Sequence, residues 1–219
     1  MRHTTTLVML AFAIGLLGAQ VASANRISTS NRRFRATFTP FHTEDENGAN
    51  VVDCDVTLEG SLHSATFAKV GNALIGQITR AEVNRLACNG GAIWLLNGTE
   101  RIGMTTTTNT LPWHVRFVSY QGALPTFTGV TIVIIGFSML VDSEEIADAC
   151  LYASTTIEPY EATFNVGRGG VVSGLRNETA TGIPFVSGGP FCWGTYHVGG
   201  QAIVRVLGST TTGITLTLI

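Results

Sequence analysis

The stretch that decides the fold is Val52-Asp53-Cys54-Asp55-Val56-Thr57-Leu58-Glu59. Apolar and polar side chains alternate through it with a period of two, and successive side chains of a β-strand point to opposite faces of a sheet. The stretch is therefore predicted to be a strand with one buried face and one wet face. The same alternation recurs in the segments that begin at Phe34, Tyr160 and Ile214.

Glycine- and asparagine-rich turns separate these segments, and such residues supply the positive φ that hairpin turns require. Examples are Asn47-Gly48, Asn89-Gly90-Gly91 and Gly199-Gly200. Helix signals are few: Asp142-Ser143-Glu144-Glu145 has the pattern of a capping box and predicts one short helix over residues 146–149. We therefore predict an all-β fold, a single β-sandwich or Greek-key barrel with at most one short helix.

The first 24 residues have the pattern of a secretory signal peptide. Arg2 precedes an apolar run over residues 7–18, and the small-residue triplet Ala22-Ser23-Ala24 follows it. The run is too short to span a bilayer, and no later stretch reaches the roughly 18 apolar residues that a membrane helix needs. Cleavage near Ala24 would leave residues 25–219 as one all-β domain, secreted or periplasmic, with no integral membrane segment.

All four cysteines lie beyond that cleavage site, at Cys54, Cys88, Cys150 and Cys192. An even number of cysteines in an exported chain predicts two disulfides, for which three pairings are open. The sequential pairing, Cys54–Cys88 with Cys150–Cys192, is favoured. A zinc site is not predicted, because no C-x-x-C or H-x-x-x-H pair offers two ligands from one turn.

Charge is sparse in this chain, since only 13% of the residues are charged and the net charge is -2. The one basic cluster, Arg32, Arg33 and Arg35, lies beside Phe34 and is interpreted as a solvated strand edge. A nucleic-acid partner would need a larger basic patch for phosphate contacts. We therefore expect no nucleic-acid partner.

Residues 132–139 depart from the alternation because they are apolar on both faces. Such a strand is either covered on both sides or presents one side to a partner. The sequence leaves both interpretations open. In the second, the binding or assembly surface would consist of Val133, Ile135, Phe137 and Met139, with Trp113 as a further candidate.

One ordered set of motifs is more specific than composition: Cys54-x-x-Thr57-Leu58-x-Gly60, Cys88, Leu111-Pro112-Trp113, Thr128-Gly129-Val130 and Cys150. With these motifs, residues 50–155 resemble the small exported proteins named as activators of alkane oxidation, and a broader set of exported bacterial proteins with the same skeleton. The resemblance implies a secreted, non-enzymatic protein linked to hydrophobic substrates, cell surfaces or biofilm matrix. It brings no catalytic residue, and the segment after Tyr160 lies outside it.

Trp113 follows a proline that forces Leu111 out of helical space, so the motif predicts an extended entry to a strand. Two roles are open for the indole: a structural plug at the open end of a sandwich, or a platform on which a ligand stacks.

Signals for catalysis are weak. No G-x-S-x-G elbow occurs to seat a serine nucleophile. The acidic stretch from Glu44 to Asp55 offers oxygen ligands for calcium, although its spacing does not match an EF-hand. No cofactor is predicted.

The function that the sequence favours is that of a secreted, non-enzymatic surface or matrix protein that binds a hydrophobic surface or a cell-surface component, or assembles with itself. The alternatives are an extracellular hydrolase of carbohydrate or ester, with a cleft joining Glu59 or Glu161 to a histidine, and an outer-membrane β-barrel.

Overall fold

The computed structural model describes residues 26–95, 101–102, 105–106, 109–123, 126–144, 149–177, 182–192 and 194–219. The predicted signal peptide (residues 1–24) lies outside the described residues, as does the predicted short helix over residues 146–149 except for its last residue.

The described chain consists of strands, one 3-10 turn at Arg168–Gly170 and connecting loops, with no α-helix. The strands are β1 (Arg26–Thr29), β2 (Arg33–Asp45), β3 (Val52–Leu62), β4 (Thr66–Ala68), β5 (Leu74–Asn89), β6 (Gly91–Leu95), β7 (Arg101–Ile102), β8 (Thr105–Thr106), β9 (Trp113–Ala123), β10 (Thr126–Ile135), β11 (Ser138–Ser143), β12 (Cys150–Ala153), β13 (Tyr160–Val166), β14 (Val172–Asn177), β15 (Ile183–Ser187), β16 (Thr195–Val206) and β17 (Leu216–Leu218).

The fold is built around four long antiparallel strands in the order β16-β2-β3-β5. Two further groups of four strands pair with the outer strands of these four. The group β9-β10-β13-β14 joins at β5, and the group β15-β12-β11-β6 joins at β16. β14 pairs with β16 as well as with β13, so the first group closes a circuit of eight strands with the four long ones. The second group starts at the other end of β16, where Ile183 lies opposite Tyr196. The predicted all-β, sandwich-like fold is confirmed.

The stretch that decided the fold behaves as predicted. Val52, Cys54, Val56 and Leu58 in β3 are buried, whereas the residues between them are only partly buried. The same holds for Phe34, Ala36 and Phe38 in β2. The alternation of these strands therefore builds one wall of the apolar core.

Both predicted disulfides are present. Cys54 is bonded to Cys88, and Cys150 is bonded to Cys192. The first joins β3 to the end of β5. The second joins β12 to the segment between β15 and β16.

The apolar run over residues 132–139 is not one strand. β10 ends at Ile135 and β11 begins at Ser138, and between them Gly136 has a positive φ of 84°. The break changes the side-chain parity of the run. Phe137 and Met139 therefore point into the same core as Ile132 and Ile134, instead of to the opposite face.

Candidate functional site

The surface predicted from the two-faced run is interior. Phe137, Met139 and Trp113 are each 0% exposed. Val133 is 7% exposed, and the register places Arg116 and Glu161 directly opposite it, so the stems of these long side chains lie beside it on that face. Ile135 is partly buried. Of the two interpretations that the sequence left open, burial favours the one in which the run is covered on both sides, so these residues present no open binding or assembly surface.

Trp113 is held in an aromatic cluster. The ring of Phe137 stacks on Tyr160 with 4.6 Å between centroids and meets the edge of Trp113 at 4.9 Å. The indole Nε1–H donates a hydrogen bond of 2.8 Å to Thr110 Oγ1. Both the apolar body and the polar edge of Trp113 are satisfied inside the protein, which makes it a packing residue and not a ligand platform.

Two titratable groups are perturbed by burial. Complete burial raises the pKa of Tyr160 well above its ordinary value. Its hydroxyl is enclosed and has no hydrogen-bond partner among the described residues. Partial burial also raises the pKa of Asp142, which lies in β11 opposite Ala92 of β6.

The carboxylate considered for hydrolysis contacts arginines. Glu59 is 8% exposed, with Oε1 at 2.7 Å from Arg35 Nη2 and Oε2 at 3.5 Å from Arg80 Nη1. His42 contacts other acids: its Nδ1 lies 2.7 Å from Asp53 Oδ1 and its Nε2 lies 3.5 Å from Glu44 Oε2. In the part of the chain that the structure describes, neither Glu59 nor Glu161 forms a hydrogen bond or ion pair with a histidine.

The acidic loop considered for calcium is organised by Asp45. Asp45 Oδ1 accepts hydrogen bonds from the backbone N–H groups of Asn47 and Ala49 at 2.8 and 3.0 Å. Asp45 Oδ2 accepts one from Asn50 Nδ2 at 2.5 Å. Both oxygens of this buried carboxylate therefore hold the turn in shape. No group of three His, Cys, Asp or Glu residues able to hold a metal occurs in the described ranges.

Exposed apolar side chains gather in β15 and the turn that follows it. Phe185, Val186 and Phe191 are 37%, 54% and 62% exposed. The Cys150–Cys192 disulfide fixes the end of this segment, and the Phe185 N–H donates to the Gly194 carbonyl at 2.9 Å. Residues 185–191 are therefore an ordered apolar segment open to solvent, which we call the 185–191 segment.

A groove of about 480 Å³ lies between β5 and β6 and extends over the neighbouring strands β3 and β2. Its walls combine the indole of Trp94 with charged, amide and hydroxyl side chains. These polar lining residues are Asp55, Thr57, Glu82, Asn84 and Arg85. We call this feature the β5–β6 groove.

Sequence reasoning missed both features. The 185–191 segment has one local signal in the sequence: Phe185 and Val186 break the alternation of their strand, and Phe191 follows the Gly188-Gly189-Pro190 turn. Trp94 and Arg85 carry no local signal, because it is the packing of two strands that brings them together.

No helix in the described part of the chain is both long and apolar enough to cross a membrane. Comparisons with protein families, with curated proteins and with solved structures found no match.

Proposed function

We propose that this chain is a secreted, non-enzymatic protein that acts at a surface, by binding an apolar surface or by assembling with itself. The observation that carries the proposal is the solvent-exposed 185–191 segment. Single exposed apolar residues are ordinary on protein surfaces, whereas a concentration of large ones marks an interaction site.

The segment is suited to contact because it is already ordered. A disulfide and a backbone hydrogen bond restrain it. The rings of Phe185 and Tyr152 also meet in an edge-to-face arrangement, with 6.1 Å between their centroids. Binding by such a segment loses less conformational entropy than binding by a free loop. Ordering of the segment therefore offsets less of the hydrophobic gain from covering its apolar side chains.

The exposure of these side chains sets the size of the expected effect on affinity. Fully burying one large apolar side chain contributes about 1.5–3 kcal/mol. Since Val186 and Phe191 are each more than half exposed, covering both should contribute about 2 kcal/mol, or about 30-fold in affinity.

The test uses the full chain expressed in an exporting host and recovered as the disulfide-bonded protein. Binding to phenyl-substituted beads and the sedimentation coefficient are compared for the wild type and for Val186→Ser/Phe191→Ser. The matched control is Val70→Ser/Ile157→Ser, which removes two side chains that are 61% and 89% exposed elsewhere.

We expect the first variant to lose about 30-fold in bead affinity or to lose self-association, and the control to behave as the wild type. A wild type that remains monomeric and does not bind the beads would refute the proposal, and so would equal losses in the two variants.

A further inference from the structure

We propose that the β5–β6 groove is a binding site for carbohydrate, and that it takes a short segment of a neutral, β-linked glycan. This site is separate from the 185–191 segment and does not depend on it: β15 and β6 stand at opposite ends of the run β15-β12-β11-β6.

The size and openness of the groove fit such a ligand. Its volume of about 480 Å³ lies within the range of roughly 300–1,000 Å³ that is typical of small-molecule sites. Ile93 and Leu95, on either side of Trp94 in β6, are buried in the apolar core and hold this edge of the groove in place. The opposite wall is the exposed part of β5.

The aromatic element is Trp94, which is partly buried and lies in the groove wall. A pyranose ring with equatorial substituents has a flat face of C–H bonds, and that face packs on the face of an aromatic ring. An indole offers the largest such face among protein side chains. Because β-1,4-linked chains are extended ribbons, their successive C–H faces match an open groove better than a closed cavity.

The polar elements suit hydroxyl groups. Asp55 and Glu82 provide carboxylates that accept hydrogen bonds, Asn84 both donates and accepts, and Arg85 provides a planar set of donors. Adjacent hydroxyls of a sugar present donor and acceptor pairs that such planar groups bind in a bidentate manner. The hydroxyl of Thr57 adds a further donor and acceptor.

The groove is held in shape by the strands around it. Asp55 lies opposite Asn84 in the register of β3 and β5, whereas Asp53 lies opposite Asn89, so residues 85–88 form a bulge. The Cys54–Cys88 disulfide anchors that bulge to β3. Arg85 lies at its start, with its guanidinium carbon 5.8 Å from the centre of the Trp94 ring. Arg85 and Trp94, two of the side chains that would contact the glycan, therefore lie against each other before it binds.

The lining argues against other ligand classes. Glu82 is paired with Arg80, but an apolar ligand would cover Asp55 and the Asn84 amide without replacing their hydrogen bonds to water, which is unfavourable in a covered site. An anionic ligand would meet Asp55 and Glu82 against a single cation, Arg85, in the groove wall. A neutral, hydroxyl-rich ligand satisfies both the indole and the charged groups.

The experiment is isothermal titration of the full, disulfide-bonded chain with cellohexaose, laminarihexaose and chitohexaose, each at up to millimolar concentration. We expect saturable binding of at least one hexaose. Trp94→Ala and Arg85→Ala should each weaken that binding by at least about tenfold, because few residues dominate a small interface. Trp94→Phe should restore part of the affinity, and Ile157→Ala, at an exposed side chain outside the groove, should leave it unchanged.

Arg85 is exposed on a bulge, so Arg85→Ala tests the site even where Trp94→Ala fails to fold. The absence of binding for all three hexaoses would overturn the proposal, and so would binding that both groove variants retain. Neither outcome bears on bead binding by the 185–191 segment, so failures of the two proposals are distinguishable.

Discussion

Phe137 lies where several aromatic rings meet, with Tyr160, Trp113 and Phe41 at centroid distances of 4.6, 4.9 and 6.5 Å. Truncating a fully buried phenylalanine removes its apolar contacts and leaves a cavity. We expect Phe137→Ala to lower the free energy of unfolding by about 4 kcal/mol in urea denaturation. Phe191→Ala, at an exposed phenylalanine, should change it by about 0.5 kcal/mol or less. Equal effects of the two substitutions would contradict the assignment of Phe137 to the core.

Two buried tyrosines should respond in opposite directions when their hydroxyl groups are removed. The Tyr160 hydroxyl has no partner among the described residues, whereas the Tyr196 hydroxyl donates to the Asn50 carbonyl. An unsatisfied buried polar group costs about 1–3 kcal/mol, and a hydrogen bond contributes about 1 kcal/mol. We therefore expect Tyr160→Phe to raise the free energy of unfolding by about 1 kcal/mol and Tyr196→Phe to lower it by a similar amount. A loss of stability in Tyr160→Phe would show that its hydroxyl is bonded.

The raised pKa of Tyr160 also predicts a dependence on pH. Above a pH of about 10 the tyrosine ionises in the unfolded chain but keeps its proton in the folded chain. The folded state then binds more protons, so this contribution to stability is complete below about pH 10 and falls as the pH rises further. Urea denaturation at about pH 9 and about pH 11 should show Tyr160→Phe gaining on the wild type, by about 1.4 kcal/mol per pH unit above 10. A constant difference between the two proteins would exclude a buried, neutral Tyr160.

At the scale of elements, the break between β10 and β11 decides which side chains are inside. Gly136 holds a positive φ of 84°, and a Cβ added there would lie 3.7 Å from Trp113 Cδ1, which is ordinary contact. The cost of Gly136→Ala is therefore conformational, about 1–2 kcal/mol for a residue in the left-handed region. Gly167→Ala is the control, because Gly167 has a φ of -90° and its added Cβ would meet Val171 O at 3.6 Å.

Thermal or urea denaturation measures both variants. Gly136→Ala should be less stable than Gly167→Ala by at least about 1 kcal/mol. A Gly136→Ala protein as stable as the wild type would mean that β10 continues into β11 without the break.

The break between β10 and β11 also shows which strand faces can be predicted from the sequence. Period-two alternation identified the faces of β2 and β3 correctly, because a strand without a break keeps its parity from end to end. It assigned Phe137 and Met139 to the wrong face, since one glycine with a positive φ shifts the parity of everything after it. That conformation depends on tertiary packing, and the sequence shows only that glycine permits it.

At the scale of the whole molecule, each of the two disulfides stabilises a different region. They close loops with sequence separations of 34 and 42 residues. The chain-entropy model gives about 4 kcal/mol for each. We expect Cys54→Ser/Cys88→Ser and Cys150→Ser/Cys192→Ser each to lower the free energy of unfolding by about 2–4 kcal/mol in urea denaturation.

The two variants should differ in function. Loss of Cys150–Cys192 releases one end of the 185–191 segment and should weaken binding to apolar beads. Loss of Cys54–Cys88 releases the bulge at Arg85 and should weaken binding of the hexaoses. The reverse pattern would contradict the assignment of the two surfaces.

Candidate sites were harder to predict than the fold. The sequential cysteine pairing, favoured among the three that the sequence leaves open, is the pairing observed. The β5–β6 groove depends on the strand order: Asp55, Arg85 and Trp94 come from three strands, and no spacing in the sequence joins them. The core contains the apolar run at residues 132–139, because strongly apolar segments are those that folding buries.

The most direct test of the proposed function is hydrogen–deuterium exchange of the full, disulfide-bonded chain, measured free in solution and bound to phenyl-substituted beads. We predict that binding slows exchange in peptides covering residues 183–192 and leaves peptides covering residues 130–141 unchanged. Protection confined to residues 130–141, or no new protection at residues 183–192, would contradict the proposal that this protein acts through its 185–191 segment.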